Sequence, residues 1–178
     1  MHVETDLKKV RRLAEKRDEE NWRFRTFLKQ YDGNDLDERV HRLLAEVSAQ
    51  IDCTACGNCC AALGTELSDA DIKRLSEGLD MTPEAFCEKY TEKDEGSGVV
   101  MLGQPCPFLK DKRCTVYPRR PDDCRHYPYL QREGFVSRLM GVVSNYAVCP
   151  IVFNVYERLK DDLWPPWRRY GKTSRTRR

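Results

Sequence analysis

Residues 53–60 read CTACGNCC, which puts Cys53, Cys56, Cys59 and Cys60 within eight positions. Cys-x-x-Cys spacing lets two thiolates from one turn face a common ion, and Gly57 and Asn58 suit the tight backbone that such a turn needs. Four cysteines at this density are too many for ordinary core filling. Residues 51–64, rich in Cys, Gly and Asn, are therefore expected to form a metal-binding loop rather than a regular element.

Four more cysteines lie downstream in loop-like sequence: Cys106 in CPF, Cys114 and Cys124 in CTVYPRRPDDCRHYP, and Cys149 in CP. Eight thiolates make two four-thiolate sets. A CxxCxxC run with a remote Cys-Pro also follows the ligand grammar of bacterial ferredoxins, in which three clustered thiolates and one distant one hold a cubane. Cys53, Cys56 and Cys59 with Cys149 or Cys106 satisfy it, leaving Cys60, Cys114 and Cys124 with the other Cys-Pro cysteine. Zinc accepts the same residues equally well, so the expected cofactor is a 4Fe-4S cluster or zinc. The ninth cysteine, Cys87 in EAFCEKY, stands outside the clusters and reads as a small buried hydrophobe.

Lys110, Lys112, Arg113, Arg119, Arg120 and Arg125 crowd the second cysteine region. Arg120 and Arg125 are the expected contacts to the cofactor, offsetting thiolate charge or donating hydrogen bonds to sulfur. His126, two residues beyond Cys124, is expected beside the ligands rather than among them, and His2 and His41 read as surface residues.

The rest of the chain has the makings of an ordinary core. With 178 residues, 40% hydrophobic and 34% charged, it is long and apolar enough for one globular domain and a helical appendage. The N-terminus has no apolar leader, and no run of about 18 uncharged apolar residues occurs, so a cytoplasmic protein that does not enter a membrane is expected. In that reducing compartment the nine cysteines are not read as a disulfide framework, and the eight outside EAFCEKY are read as metal ligands.

Apolar residues recur at helical spacing in two N-terminal stretches. The first, capped by Thr5, carries Leu7, Val10, Ala14, Phe24, Leu28 and Tyr31; the second, capped by Asn34, carries Leu36, Val40, Leu43, Leu44 and Val47. Together they read as a helical hairpin over residues 1–50. Ser68 with Asp71 resembles a capping box opening a helix to about residue 78, and Thr82-Pro83 opens another with Phe86 and Tyr90 on its buried face. Glu84, Glu88, Glu92, Asp94 and Glu95 make that helix and its exit acidic, which argues against phosphate contacts and nucleic-acid binding. Residues 99–102 read as a strand pairing with one near 113–117, residues 135–148 mix strand and helix spacing, and Pro150 opens a last helix. The expected fold is mainly α with a small β-hairpin: an irregular, metal-nucleated cysteine-cluster domain (51–163) preceded by the helical hairpin (1–50) and followed by a basic, disordered tail (164–178).

The ordered set CxxCxxCC, CPFL, C-x-V-Y-x-x-R-P-x-x-C-R-x-Y-P and CP, including Tyr117, Arg120, Pro121, Arg125, Tyr127 and Pro128, resembles the YkgJ-type cysteine-cluster family, described as a zinc- or iron-chelating domain. The resemblance runs from Cys53 to Pro150 and implies the eight matched cysteines as metal ligands. It extends to the cysteine-rich part of flagellin lysine methylases, whose long additional region this chain lacks. No nucleophile with its base and no glycine-rich nucleotide loop occurs, so no independent catalytic signature accompanies the cysteines. Three functions are consistent with this sequence: an iron–sulfur protein with a redox or electron-transfer role, a zinc-stabilised module whose helical hairpin recruits a protein partner, and an iron–sulfur enzyme related to protein lysine methylases.

Overall fold

The computed structural model describes residues 2–96 and 98–164. In chain order its helices are α1 Leu7–Lys16, α2 Asp18–Lys29, α3 Leu36–Ser48, α4 Cys53–Cys56, α5 Asn58–Ala62, α6 Asp69–Gly78, α7 Pro83–Tyr90, α8 Asp122–His126, α9 Leu139–Asn145 and α10 Pro150–Leu163. Strands β1 Thr91–Asp94, β2 Gly98–Met101, β3 Leu109–Lys110 and β4 Arg113–Cys114 lie between α7 and α8. The fold is mainly α with small antiparallel hairpins. No helix among the described residues is long and apolar enough to cross a membrane. The basic tail beyond Trp164, including most of WPPW, lies outside the described residues.

The chain forms two compact units, one made of residues up to Ile51 together with those from Pro128 on, the other of Asp52–Tyr127. From sequence, residues 51–163 were expected to form one domain between boundaries near 50 and 163, whereas a second division falls at Tyr127/Pro128. The second arises because the apolar stripes of the N-terminal helices are covered by the C-terminal helix: α3 makes its most extensive contacts with α10. From Pro150 to Lys160, every residue of α10 except Glu157 is buried, as befits a helix at the centre of a bundle. Val10, Phe24, Leu28, Val40 and Val47 are buried in the same unit. Asn154 of α10 pins the N-terminal residues by accepting from the Glu4 amide at 2.9 Å and donating to the Glu4 carbonyl at 2.8 Å.

The N-terminal helices differ from expectation at their ends. Asp6, not Thr5, caps α1, its carboxylate accepting from the amides of Lys8 and Lys9 at 2.9 and 3.2 Å. The expected single helix breaks at Arg17, where Asp18, Glu19 and Glu20 supply the negative first turn that favours a new N-terminus. Asn34 does not cap α3; the preceding residue is Asp35, whose carboxylate pairs with Arg39 at 2.6 Å. Asp6→Ala is expected to lower stability by about 1 kcal/mol, measured as a lower denaturant midpoint with an unchanged slope. Residues 135–145, ambiguous in sequence, form a 3₁₀ turn, Phe135–Arg138, that runs into α9.

In the Asp52–Tyr127 unit, Ser68 and Asp71 make a full capping box for α6, and Thr82 caps α7 with Pro83 in its first turn. Leu67, Ile72, Leu75, Phe86, Met101 and Phe108 form the buried core. The strand at 98–101 pairs with β1, Thr91 facing Met101 and Asp94 facing Gly98, and not with the segment near 113–117. Loop closure explains the difference, because a partner a few residues away costs less entropy to bring alongside than one beyond the Cys106 segment. The β4 segment pairs with β3 through a tight turn in which Asp111 and Lys112 both take positive φ, the geometry of a two-residue type I′ hairpin.

Candidate metal centre

The CTACGNCC stretch is helical, contrary to the irregular loop expected. α4 and α5 are single turns separated by Gly57, which sits in the left-handed region at φ 61°. Asp52 caps α4, accepting from the Thr54 amide at 2.9 Å and the Thr54 hydroxyl at 2.6 Å. Cys53 and Cys56 are thus three residues apart on one short turn, a spacing that puts side chains on one face. Cys53 is exposed, and Cys56, Cys59 and Cys60 are half-buried. Gly57 has no room for a side chain: a Cβ there would stand 2.5 Å from the Lys112 carbonyl oxygen and 3.1 Å from Leu109 Cδ1. The first cysteine run is pressed against the hairpin that carries Cys114, and α4 and β4 are in contact.

Backbone bonds join the remaining segments. The Cys106 amide donates to the Cys60 carbonyl at 2.8 Å, and the Thr115 amide to the Phe108 carbonyl at 2.9 Å. Burial pushes the Cys106 and Cys114 thiols up, against the lowering effect of the Phe108 and Leu109 backbone at Cys106 and of the Val116 backbone at Cys114; the Leu109 amide donates to the Cys106 carbonyl at 2.9 Å. Cys124 lies on α8, with Thr65 Oγ1 3.5 Å from its sulfur; burial raises this thiol to about 11. Cys60 is the exception, lowered to about 7 chiefly by a hydrogen bond from Cys59. The charge of Cys60 adds to the rise of the Cys106, Cys114 and Cys124 thiols. Among the described residues, no three His, Cys, Asp or Glu side chains are closed around one coordination centre. What comes together within the Asp52–Tyr127 unit is backbone: the Cys60 and Cys106 segments through their hydrogen bond, and α4 with the strand that carries Cys114.

Burial raises the Cys53 thiol, and Arg120, whose positive charge favours the thiolate, works against that rise at both Cys53 and Cys114. Its guanidinium stacks 3.8 Å over the Tyr117 ring and donates to the Tyr117 carbonyl at 3.0 Å. Arg125 is engaged with backbone instead, donating to the carbonyls of Arg120 at 3.0 Å and Pro118 at 2.6 Å. His126 Nδ1 lies 2.7 Å from the Asp122 carbonyl of its own helix. Cys87 packs against the apolar core of this unit, in keeping with a small hydrophobe. Cys149 belongs to the other unit, 7% exposed, its amide bonded to Asn145 and its carbonyl accepting from Phe153 at the start of α10.

Two residues of this region have no cysteine motif to announce them. Asp71 is buried and accepts from the Ser68 amide at 3.1 Å, the Ser68 hydroxyl at 2.7 Å, the Asp122 amide at 3.0 Å and Arg74. Burial works to raise its carboxyl, but these bonds hold it below the usual carboxylate range. Arg74 reaches further, to the Arg120 carbonyl at 3.1 Å and the Asp122 carboxylate at 3.0 Å. The Ser68-x-x-Asp71 signature marked the cap; nothing local marked its second role.

A family model named CxxCxxCC, described as "Putative zinc- or iron-chelating domain", matches residues 52–142, half of the chain. The match takes in seven of the eight clustered cysteines and ends before Cys149. No curated protein and no solved structure matches the chain.

Proposed function

The chain belongs to the CxxCxxCC family of zinc- or iron-chelating cysteine-cluster domains, and on that premise we propose that its thiolates hold an iron–sulfur cluster with a redox or electron-transfer role. The observation that carries this reading is the backbone bond from the Cys106 amide to the Cys60 carbonyl, which sets a remote Cys-Pro cysteine beside the CxxCxxCC run. Three clustered thiolates plus one remote thiolate is the donor set of a cubane.

The donors suit such a group chemically. The backbone around Cys106 and Cys114 and the positive charge of Arg120 at Cys53 and Cys114 favour thiolate over thiol. Hydrogen bonds to sulfur and local charge are also what set the potential of an iron–sulfur centre. When bound, the cluster supplies one-electron chemistry. The chain's own residues orient the sulfurs and limit their access to water, with Cys53 at the exposed edge. The proposed ligands are Cys53, Cys56, Cys59, Cys60, Cys106, Cys114 and Cys124, and Cys149 enters on its Cys-Pro sequence alone.

A second reading, a zinc-stabilised protein-interaction module, is favoured by the small apolar core of the Asp52–Tyr127 unit, where six buried side chains carry the packing. Structural zinc can contribute about 10–16 kcal/mol to the folding of such a unit. Anaerobic purification followed by measurement of iron, acid-labile sulfide and zinc per chain separates the two. The expected result is iron with matching sulfide and a visible absorption that dithionite bleaches; zinc without sulfide overturns the iron–sulfur reading.

A further inference from the structure

We propose that Asp71 and Arg74 of α6 are positioning residues for the Cys124 thiolate, so that metal retention by the cysteine cluster depends on an ion pair that touches no sulfur. The proposal rests on the thiolate–metal reading above and deepens it.

Asp71 does more than close a cap. One carboxylate oxygen accepts from the Ser68 amide and hydroxyl, which satisfies the α6 N-terminus. The other accepts from the Asp122 amide, the first residue of α8, and from Arg74. A cap needs only the first oxygen; the second ties a distant segment to α6. Arg74 extends that tie, its Nη2 donating to the Arg120 carbonyl and the Asp122 carboxylate, and its Nε lying 3.4 Å from the Arg119 carbonyl. From α8 itself, Arg125 bonds back to the Arg120 and Pro118 carbonyls. Residues 118–125 are therefore a closed loop fastened to α6 at Arg119, Arg120 and Asp122.

Cys124 sits two residues beyond Asp122 in a helix of little more than one turn, too short to hold its own position. Its sulfur has a 3.5 Å contact with Thr65 Oγ1, a weak restraint. The direction of the Cys124 side chain is thus inherited from the clamp on Asp122. Metal ligands held by outer partners lose about 10- to 100-fold in metal affinity when those partners are removed.

A double-mutant cycle on the anaerobically purified chain tests this, with metal release to excess chelator as the readout for wild type, Arg74→Ala, Arg74→Lys, Cys124→Ser and the Arg74→Ala/Cys124→Ser pair. Arg74→Ala is expected to weaken retention about 10- to 100-fold and Cys124→Ser at least as much, while the pair behaves like Cys124→Ser alone, because the clamp then has no ligand to position. Arg74→Lys, which keeps a cation beside Asp71 but cannot fork to several acceptors, is expected to fall between wild type and Arg74→Ala while matching wild type in denaturant midpoint; it carries the test should Arg74→Ala fail to fold. The proposal is overturned if Arg74→Ala costs the same factor with and without Cys124, which would mark a purely structural ion pair, or if Cys124→Ser leaves retention unchanged. A wild-type chain that binds no metal overturns the underlying reading as well.

Discussion

Replacing Gly57 by alanine is expected to destabilise the Asp52–Tyr127 unit by about 2–5 kcal/mol and to strip it of metal. Two costs add. The left-handed backbone at φ 61° is unfavourable for any residue with a Cβ by about 1–2 kcal/mol. The new methyl also meets the Lys112 carbonyl at 2.5 Å, a backbone atom that cannot rotate away, and such overpacking costs about 1–3 kcal/mol. To relieve the clash, α4 with Cys53 and Cys56 must withdraw from the hairpin that carries Cys114, so the strain falls on the thiol set itself. Gly98→Ala separates the two costs: Gly98 also has positive φ, at 86°, but nothing lies within 4 Å of its would-be Cβ. It is expected to lose only the backbone part and to keep its metal. Denaturant midpoints and metal per chain for the two variants check this, and equal losses would show that the wall at Lys112 is not what matters.

The elements that were legible in the sequence are those whose signal is local. Ser68 with Asp71, Thr82 with Pro83, and Pro150 each settle a helix start within four residues, and all three start where the sequence places them. Pairing partners were not legible, because a strand such as 98–101 carries the hydrophobicity that demands a neighbour but not the identity of that neighbour; the polar Thr91–Asp94 strand, read as an acidic helix exit, fills the role. The helical turns at 53–62 were hidden by their cysteines, which suggested irregular backbone where Ala55, Ala61 and Ala62 in fact favour helix on either side of Gly57.

At the candidate site the cysteines were visible by spacing, and Arg120 by its place in the R-P-x-x-C motif. Arg125 was legible as a residue but not in its contacts, since its guanidinium holds backbone carbonyls. Arg74 was invisible because one arginine on an amphipathic helix looks like any solvated charge until the chain folds Asp122 against it. The last helix carries the same difficulty: its sequence reading names neither Glu157 nor Lys160, and Lys160 meets Glu20 only once the chain folds α2 against it.

Lys160→Met is expected to cost about 3–5 kcal/mol, the largest effect in the helical unit, because it removes one partner of a buried ion network. The Lys160 side chain is 0% exposed, and its three N–H donors are all used: Glu20 Oε1 at 2.8 Å, Asn21 Oδ1 at 2.5 Å and Glu157 Oε1 at 2.7 Å. The ammonium also lies 5.3 and 5.5 Å from the ring centroids of Tyr146 and Tyr156. Methionine fills a similar volume, so packing is nearly kept, and the loss is that of a cation among carboxylates. Glu157 retains Arg17 and the Tyr146 hydroxyl at 2.7 Å, whereas Glu20 loses its ion pair to α10. Neutralising the half-buried carboxylate left behind should therefore recover part of the loss: Lys160→Met with Glu20→Gln is expected to be more stable than Lys160→Met alone. Chemical denaturation followed by far-ultraviolet circular dichroism reads both variants, and a single substitution that costs less than 1 kcal/mol would mean that the network is incidental to the bundle rather than the pin that joins α2 to α10.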